Sequence, residues 1–258
     1  MDKTIAANTI ELLQETASGK KLADLRVGLG YTCAVLDDGS IGLAWTGPSH
    51  SMSCSHEMKA GKLANSPAIE VLSMITAPNP ISRSIGLALA NALIAGLPRP
   101  ESSTQDVIEL VNLNADDHVV MVGFFGPVIP KIKQAGCKLD IVELDSKMPN
   151  VLSPEEGKAA LGKCTVAIIT STSVVTGTID DLLASLGNPR AVIMLGPSTI
   201  MMPQVFAETK VTHLAGIWPK ADSAASIQQI VSEGGGTMLL APNLDFVTIA
   251  IKELIKNV

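Results

Sequence analysis

The sequence predicts an α/β protein with two units: a mixed α+β unit over residues 1–104, followed by a Rossmann-like unit with a parallel sheet over residues 105–258. Three observations predict this class. In the second half, short apolar runs alternate with amphipathic stretches, as repeated β-α units with parallel strands require. The first half combines a hairpin signal with helical stretches. Between the two halves, residues 98–105 (Pro-Arg-Pro-Glu-Ser-Ser-Thr-Gln) have the composition of a linker.

The elements of the first half are marked by spacing and by turn residues. Asp38-Gly39 supplies the positive φ of a tight hairpin turn between two apolar runs. Gly19 is suited to end a helix whose apolar side chains recur at helical spacing. Pro98 follows a long stretch rich in Ala, Leu and Ile and ends it. The predicted elements are a helix at 8–15, strands at 27–36 and 41–46, and helices at 67–77 and 81–97.

The elements of the second half have clear starts. Ser153-Pro154 and Thr178 each place a hydroxyl at a predicted helix N-cap, with an acid three residues later at Glu156 and Asp181. The apolar runs between these helices have the length of buried strands. The predicted strands are 118–122, 139–144, 165–170, 191–195 and 213–217, and an amphipathic helix at 246–257 is predicted to close the chain.

Composition and charge exclude several kinds of partner. The net charge of −6 argues against nucleic acid and against a membrane surface as partners, because both require a basic face. The 3% aromatic content also leaves few rings on which bases could stack. The first residues lack the apolar core of a signal peptide, so a cytoplasmic protein is expected. Charged residues make up only 17% of the chain, which favours a homo-oligomer. The cysteines are scattered without a C-x-x-C pair, so we expect reduced thiols.

Two apolar runs of the second half end in Gly-Pro, at residues 119–127 and 191–197. The carboxyl ends of parallel strands meet at one edge of an open sheet, where ligands bind. Glycine permits close approach of a ligand to the backbone, and proline suits the first turn of a helix, whose N–H groups attract anions. The sequence therefore predicts a crevice for a small anionic ligand, one that carries a phosphate or a carboxylate. The alternative is that these are ordinary turn and cap residues.

The predicted ligand-binding residues all follow strands of the second half. They are Gly123, Phe124, Gly126, Pro127, Glu143, Thr170, Ser171, Thr172, Gly177, Thr178, Gly196, Pro197, Ser198 and Thr199. Glu143 lies 17 residues beyond Gly126, near the spacing at which an acid holds the ribose of a dinucleotide. An exposed loop acid is the alternative, because the full G-x-G-x-x-G fingerprint is missing. An enzyme with a nucleotide-type cofactor, using Glu143 or Asp145, is therefore the rival hypothesis, and whether any reaction is catalysed stays open.

A second candidate site lies in the first half. His50, Cys54 and His56 gather imidazole and thiol groups, which are ligands that zinc and softer metals prefer. A divalent metal or a metal chelate is one candidate cofactor, and the identity of the cofactor stays open. The H-x3-C-x-H spacing matches no closed zinc motif, so a polar loop with incidental histidines is the alternative. Trp45 and Trp218 are predicted to be packing residues.

The ordered motifs resemble a known family. The segments that carry the resemblance are Gly-Leu-Gly-Tyr-Thr (28–32), Gly-Leu-Ala-Trp-Thr (42–46), Arg-Ser-Ile-Gly-Leu-Ala-Leu-Ala-Asn-Ala (83–92), and the stretches 122–127, 143–145, 169–178 and 195–199. Together they resemble the family known as domain of unknown function 364, also called putative heavy-metal chelation proteins. The resemblance implies an enolase-N-terminal-like α+β domain, a Rossmann-like domain and a site in the cleft between them, where the expected ligand is small and anionic or chelating. Ser171 stands where the family pattern leads us to expect glycine.

Overall fold

A computed structural model describes residues 4–47, 56–143 and 151–251 of the chain. The strands within these residues are β1 (Leu22–Val27), β2 (Tyr31–Leu36), β3 (Ile41–Trp45), β4 (His118–Val122), β5 (Lys138–Val142), β6 (Val166–Thr170), β7 (Ala191–Leu195), β8 (His213–Pro219) and β9 (Leu244–Ala250). The helices are α1 (Ile5–Ala17), α2 (Ala68–Leu72), α3 (Pro80–Ala95), α4 (Val107–Val111), α5 (Ile129–Gln134), α6 (Pro154–Leu161), α7 (Ser173–Thr176), α8 (Ile179–Ala184), α9 (Ala224–Ser232) and α10 (Thr237–Leu240). Short 3-10 turns lie at Ser73–Thr76, Pro203–Phe206 and Ala241–Asn243.

The first sheet is antiparallel, with strand order β1-β2-β3. The hairpin between β2 and β3 is confirmed, and Gly39 has the expected positive φ of +84°. The predicted strand at 27–36 is wrong at its start, because the chain turns at Gly28, whose N–H donates to the carbonyl of Tyr31 over 2.9 Å. The preceding strand β1 was not predicted. Its polar residues Asp24 and Arg26 form an ion pair with each other on this edge strand. Most of the strand is partly buried or exposed, so its sequence lacks the clear alternation of apolar and polar residues that predicts a strand.

Helix α3 packs across the first sheet and is almost entirely buried. Its start is set by Asn79, whose side chain accepts a hydrogen bond from the N–H of Ile81, and by Pro80 in the first turn. The helix and β3 approach closely at Gly42, where a β-carbon would overlap the backbone of Ala88 and Ala92. Glycine is therefore required at this position by helix–sheet packing.

The second sheet has six strands in the order β5-β4-β6-β7-β8-β9. The first five are parallel, as the β-α repetition predicts, and β4, β6 and β7 are buried on both faces. The predicted helix at 246–257 is wrong over its described part. Residues 244–250 form β9, which pairs antiparallel with β8. The pairing extends from Leu244 opposite Pro219 to Ala250 opposite His213. Consecutive Val247, Thr248 and Ile249 favour a strand, and pairing along the whole length of β8 stabilises it.

The two halves of the chain pack directly on each other. One apolar cluster contains Leu13 and Leu87 from the first half together with Ile169 and Met194 from the second. The main-chain N–H of Trp45 donates to Ser198 Oγ over 2.8 Å and joins β3 to the turn after β7. The observed architecture is thus an α+β unit set against a Rossmann-like sheet, whereas the boundary at residues 98–105 stays a prediction. In the part of the chain that the structure describes, no helix is long and apolar enough to cross a membrane.

Candidate functional site

A crevice of about 1580 Å³ runs along the carboxyl ends of β4, β5, β6 and β7. Its walls include Tyr31 and Trp45 from the first sheet and Thr237 and Met238 from α10. The first half of the chain therefore contributes directly to a crevice whose floor belongs to the second half. This is the edge of a parallel sheet at which ligands generally bind.

Most of the ligand-binding residues predicted from sequence line this crevice. They are Gly123, Phe124, Gly126, Pro127, Glu143, Thr170, Ser171, Thr172, Thr178, Gly196, Pro197 and Ser198. Two others lie outside its lining. Gly177 packs against Arg83, and a β-carbon added to the glycine would lie 3.5 Å from Cζ of that guanidinium. Thr199 is buried, and its hydroxyl donates to the Gly196 carbonyl over 2.7 Å.

Two of the glycines at the strand ends are required by backbone conformation. Gly123 has φ +93°, and a β-carbon there would lie 2.9 Å from Cβ of Thr170. Gly196 has φ +126°, and its β-carbon would lie 2.9 Å from Ser171 Oγ. Gly126 differs, because its φ is not in the left-handed region and a β-carbon would meet only the Phe124 ring, at 3.7 Å. These glycines thus have separable roles that experiment can distinguish.

The expectation that each Gly-Pro opens a helix is wrong. Gly196-Pro197 forms a tight turn, closed by the N–H of Thr199 on the Gly196 carbonyl at 3.1 Å, and no helix follows directly. Pro127 lies in the turn that precedes α5, which begins at Ile129. Neither proline therefore presents a row of free helical N–H groups to the crevice.

The two predicted capping boxes behave differently. The box at the start of α6 is confirmed, because Ser153 and Glu156 bond to each other's backbone N–H groups. The box at Thr178 is wrong, since no side chain caps α8 there and the Thr178 hydroxyl pairs with Thr176 at 2.9 Å. At both helix starts the first turn carries two acids. The helix N-termini beside the crevice are thus compensated by the protein's own carboxylates.

Ser171 is the residue of the crevice whose hydrogen bonding is incomplete. It follows β6, is only 1% exposed, and its Oγ has no hydrogen-bond partner among the described residues. The neighbouring hydroxyls are all engaged: Thr170 and Thr172 pair at 3.0 Å, and Ser173 donates to the Thr170 carbonyl over 2.6 Å. A buried hydroxyl without a partner costs about 1–3 kcal/mol. Such a group at the wall of a crevice is explained if a bound molecule completes its hydrogen bonding.

Aromatic side chains are concentrated at the crevice. The chain has two Trp, one Tyr and four Phe. Five of these seven line the crevice, namely Tyr31, Trp45, Phe124, Phe125 and Phe246. The other two, Phe206 and Trp218, are buried in the core.

Of these five aromatic residues, only Phe124 belongs to the site predicted from the sequence. Trp45 was expected to serve packing alone, and Phe246 was placed in a helix; both line the crevice. Tyr31 donates to or accepts from Thr237 Oγ1 at 2.7 Å, and burial raises the pKa of its phenol. The scarcity of aromatic residues was a usable signal, but local patterns do not show that they converge.

The charged groups of the described lining are mostly acidic. Asp181 faces Lys158 at 3.4 Å, and Asp106 pairs with Lys131 at 2.8 Å. Glu143 and Glu155 also line the crevice, and neither carboxylate has a cationic partner in residues 4–47, 56–143 and 151–251. The adjacent Asp145 lies outside the described residues.

The metal site predicted in the first half is largely beyond what the structure describes. His50 and Cys54 lie outside the described residues. His56 is described, and its carbonyl accepts a hydrogen bond from Asn79 Nδ2 over 3.1 Å. Within the described ranges, no group of three or more His, Cys, Asp or Glu side chains is arranged to hold a metal ion.

The cysteines of the described chain are free thiols, as expected, at positions 33, 137 and 164. Burial raises the pKa of Cys33 to about 12 and that of Cys164 to about 11. Thiols that stay protonated are poor metal ligands and poor nucleophiles. Neither Cys33 nor Cys164 is therefore a candidate for the chemistry of the crevice.

The fold and the crevice define a class of α/β proteins in which an α+β unit with an antiparallel sheet packs on a Rossmann-like unit beside its strand ends. The chain belongs to the DUF364 family, whose model, described as "Putative heavy-metal chelation", matches residues 106–250. A second model with the same description, DUF4213, matches residues 10–94.

Similar proteins occur in archaea and bacteria. An uncharacterized protein of Methanocaldococcus jannaschii is 26% identical over 220 residues, which cover 82% of this chain and 83% of the relative. The crystal structure of a DUF364 protein of unknown function from Pyrococcus horikoshii superimposes with a TM-score of 0.83 at 21% identity, covering 96% of this chain and all of the other. One from Desulfitobacterium hafniense gives 0.75 at 22% identity, covering 94% and 98%. These likenesses establish the fold.

Proposed function

We propose that this protein binds a metal chelate, that is, a metal ion held by a small organic molecule, in the crevice at the carboxyl edge of the six-stranded sheet. The observation that carries the proposal is the unpartnered hydroxyl of Ser171 at the crevice wall. The family description supports metal chelation as the broad activity.

A chelate accounts for the lining better than a bare ion does. The described residues contain no cluster of three metal-ligating side chains, so the donor atoms would come from the organic molecule. The lining instead offers aromatic rings, glycine backbone and hydroxyl groups, which are surfaces for an organic ligand. A crevice of about 1580 Å³ has room for such a molecule together with its metal.

The proposed ligand would contact both units of the chain. Tyr31 and Trp45 come from the unit over residues 1–104, and the strand-end residues come from the unit over residues 105–258. Binding would then hold the two units of the chain together. Separately, the low fraction of charged residues supports a homo-oligomer as the form of the protein that binds the ligand.

A second candidate function is an enzyme with a nucleotide-type cofactor. Glu143 favours it, because it follows β5 and lines the crevice where a ribose-binding acid is expected. The turn after β4 supports it less, since residues 123–127 lack the glycine fingerprint. A nucleotide in the small-molecule fraction of the purified protein, identified by its mass and its phosphorus content, would favour this function over the chelate.

A pair of neighbouring serines tests the proposal. Ser171→Ala removes the unpartnered hydroxyl, whereas the control Ser173→Ala removes one that donates to the Thr170 carbonyl over 2.6 Å. Without ligand, we expect the unfolding midpoint of Ser171→Ala to equal or exceed that of wild type, and that of Ser173→Ala to fall. Native mass spectrometry and elemental analysis then measure retained organic ligand and metal.

The proposal predicts that Ser171→Ala alone retains less ligand than wild type per folded chain. If both variants retain ligand and metal at the wild-type ratio, the crevice is not the site. If wild-type protein carries neither and binds no metal chelate, the proposed function is wrong.

A further inference from the structure

We infer that the ligand of this crevice is flat and positively charged, such as a planar aromatic chelate of a divalent metal. The inference rests on the proposed function and names the chemical class of its ligand. Three features of the described crevice carry it: its aromatic rings, its carboxylates without a cationic side-chain partner, and the way its nearest cationic groups are already engaged.

The aromatic rings supply the surfaces for a flat ligand. Phe124 is 49% exposed and Phe246 is 48% exposed, and both rings line the crevice. Phe125 lies against the turns at Gly123 and Gly196, within 3.5 and 4.0 Å of their β-carbon positions. The glycines add no side chain over the ring, which is otherwise partly buried against the apolar cluster that includes Val119 and Ile132. Rings presented in this way bind planar π-systems and cations through their faces.

The carboxylates supply the charge preference. Glu143 and Glu155 line the crevice without a cationic partner among the described residues, while Lys158 faces Asp181 at 3.4 Å. Glu143 attracts a cation and opposes an anion, whereas Glu155 lies in the first turn of α6 and already interacts with that helix N-terminus. Ser171, buried and unpartnered at the same wall, is the observation on which the proposed site rests.

The cationic group behind the crevice wall is not available to an anion. Arg83 packs behind Gly177 and donates to three carbonyls, those of Val175 at 2.6 Å, Ala77 at 2.9 Å and Pro78 at 3.0 Å. The helix starts at α6 and α8 carry their own acids. Binding of a phosphate or free carboxylate would therefore displace existing interactions, whereas a flat cation would add new ones.

Three zinc complexes separate flatness from charge. Zinc–phenanthroline is flat and carries two positive charges; zinc–tris(2-aminoethyl)amine has the same charge without a ring; the zinc complex of a phenanthroline disulfonate is flat and has no net charge. Isothermal titration at low ionic strength measures the affinity of each for wild-type protein. We expect zinc–phenanthroline to bind at least tenfold more tightly than either of the others. Equal or tighter binding of the ring-free or uncharged complex, or no binding of zinc–phenanthroline, overturns the inference.

Crevice variants locate the binding. Phe124→Leu and Phe246→Leu should each weaken zinc–phenanthroline by about three- to thirtyfold, because each removes one ring face. Glu143→Gln should weaken it by about three- to tenfold and reduce its salt dependence. The controls are Leu110→Ala and Glu208→Gln, an exposed apolar residue and an exposed acid that do not line the crevice. Unchanged affinity in all three crevice variants overturns the inference.

These outcomes remain distinct from failure of the proposed function. If the protein retains a chelate that Ser171→Ala loses, but that chelate is anionic or lacks a ring, the proposed function stands and the ligand class inferred here is wrong. If no chelate is retained and none binds, both fail.

Discussion

Alanine substitution should destabilise the protein at Gly196 but not at Gly126, and the structure supplies the magnitudes. Gly196→Ala places a side chain at φ +126° and its β-carbon 2.9 Å from Ser171 Oγ. Conformations of this kind cost about 1–3 kcal/mol for a residue with a β-carbon. Gly126→Ala has no such cost, because its backbone is ordinary and its β-carbon would meet one ring atom at 3.7 Å.

Thermal unfolding of ligand-free protein measures the difference. At about 2–4 °C per kcal/mol for a chain of this size, a loss of about 2 kcal/mol lowers the midpoint of Gly196→Ala by about 4–8 °C. Gly126→Ala should stay within about 1 °C of wild type on the same scale. Gly123→Ala, at φ +93°, should behave like Gly196→Ala. If Gly196→Ala unfolds at the wild-type midpoint, the claim that the backbone conformation at position 196 requires glycine is refuted.

Three further predictions follow from buried groups. Arg190 holds the pKa of Asp117 well below its usual range, so the stability of this ion pair is present above about pH 4 and is lost as the pH falls below it; Asp117→Asn should flatten that part of the stability–pH curve. The thiols of Cys33 and Cys164 should resist iodoacetamide in native protein, as peptide mapping would show, and react after unfolding. Because both halves share one apolar cluster, fluorescence of Trp45 and of Trp218 should report the same urea midpoint, and separated midpoints would contradict this.

The parallel strands were predictable from sequence because their signal is local. The runs at 119–122 and 191–195 are continuously apolar, as strands buried on both faces must be, and the structure has strands at His118–Val122 and Ala191–Leu195. Strand β9 was not predictable in this way, since the apolar spacing of its residues also fits a helix. Its conformation depends on pairing with β8, which is a contact between distant parts of the chain.

The candidate site was likewise predictable only where its residues follow predicted strands. Strand-end residues such as Gly123 and Ser171 follow from the general position of ligands in parallel sheets. Tyr31 and Trp45 could not be placed there from sequence, because the packing of the first sheet on the second brings them to the crevice. The missing cap at Thr178 shows a further limit, since its hydroxyl pairs with Thr176 instead of the helix backbone.

Anomalous diffraction at the zinc absorption edge tests the central claim most directly. Crystals would contain the retained ligand or, if the purified protein is empty, added zinc–phenanthroline. The account predicts an anomalous peak in the crevice beside Ser171, with the organic ring against Phe124, Phe125 or Phe246. A peak confined to the segment that carries His50, Cys54 and His56, with the crevice empty, would contradict it.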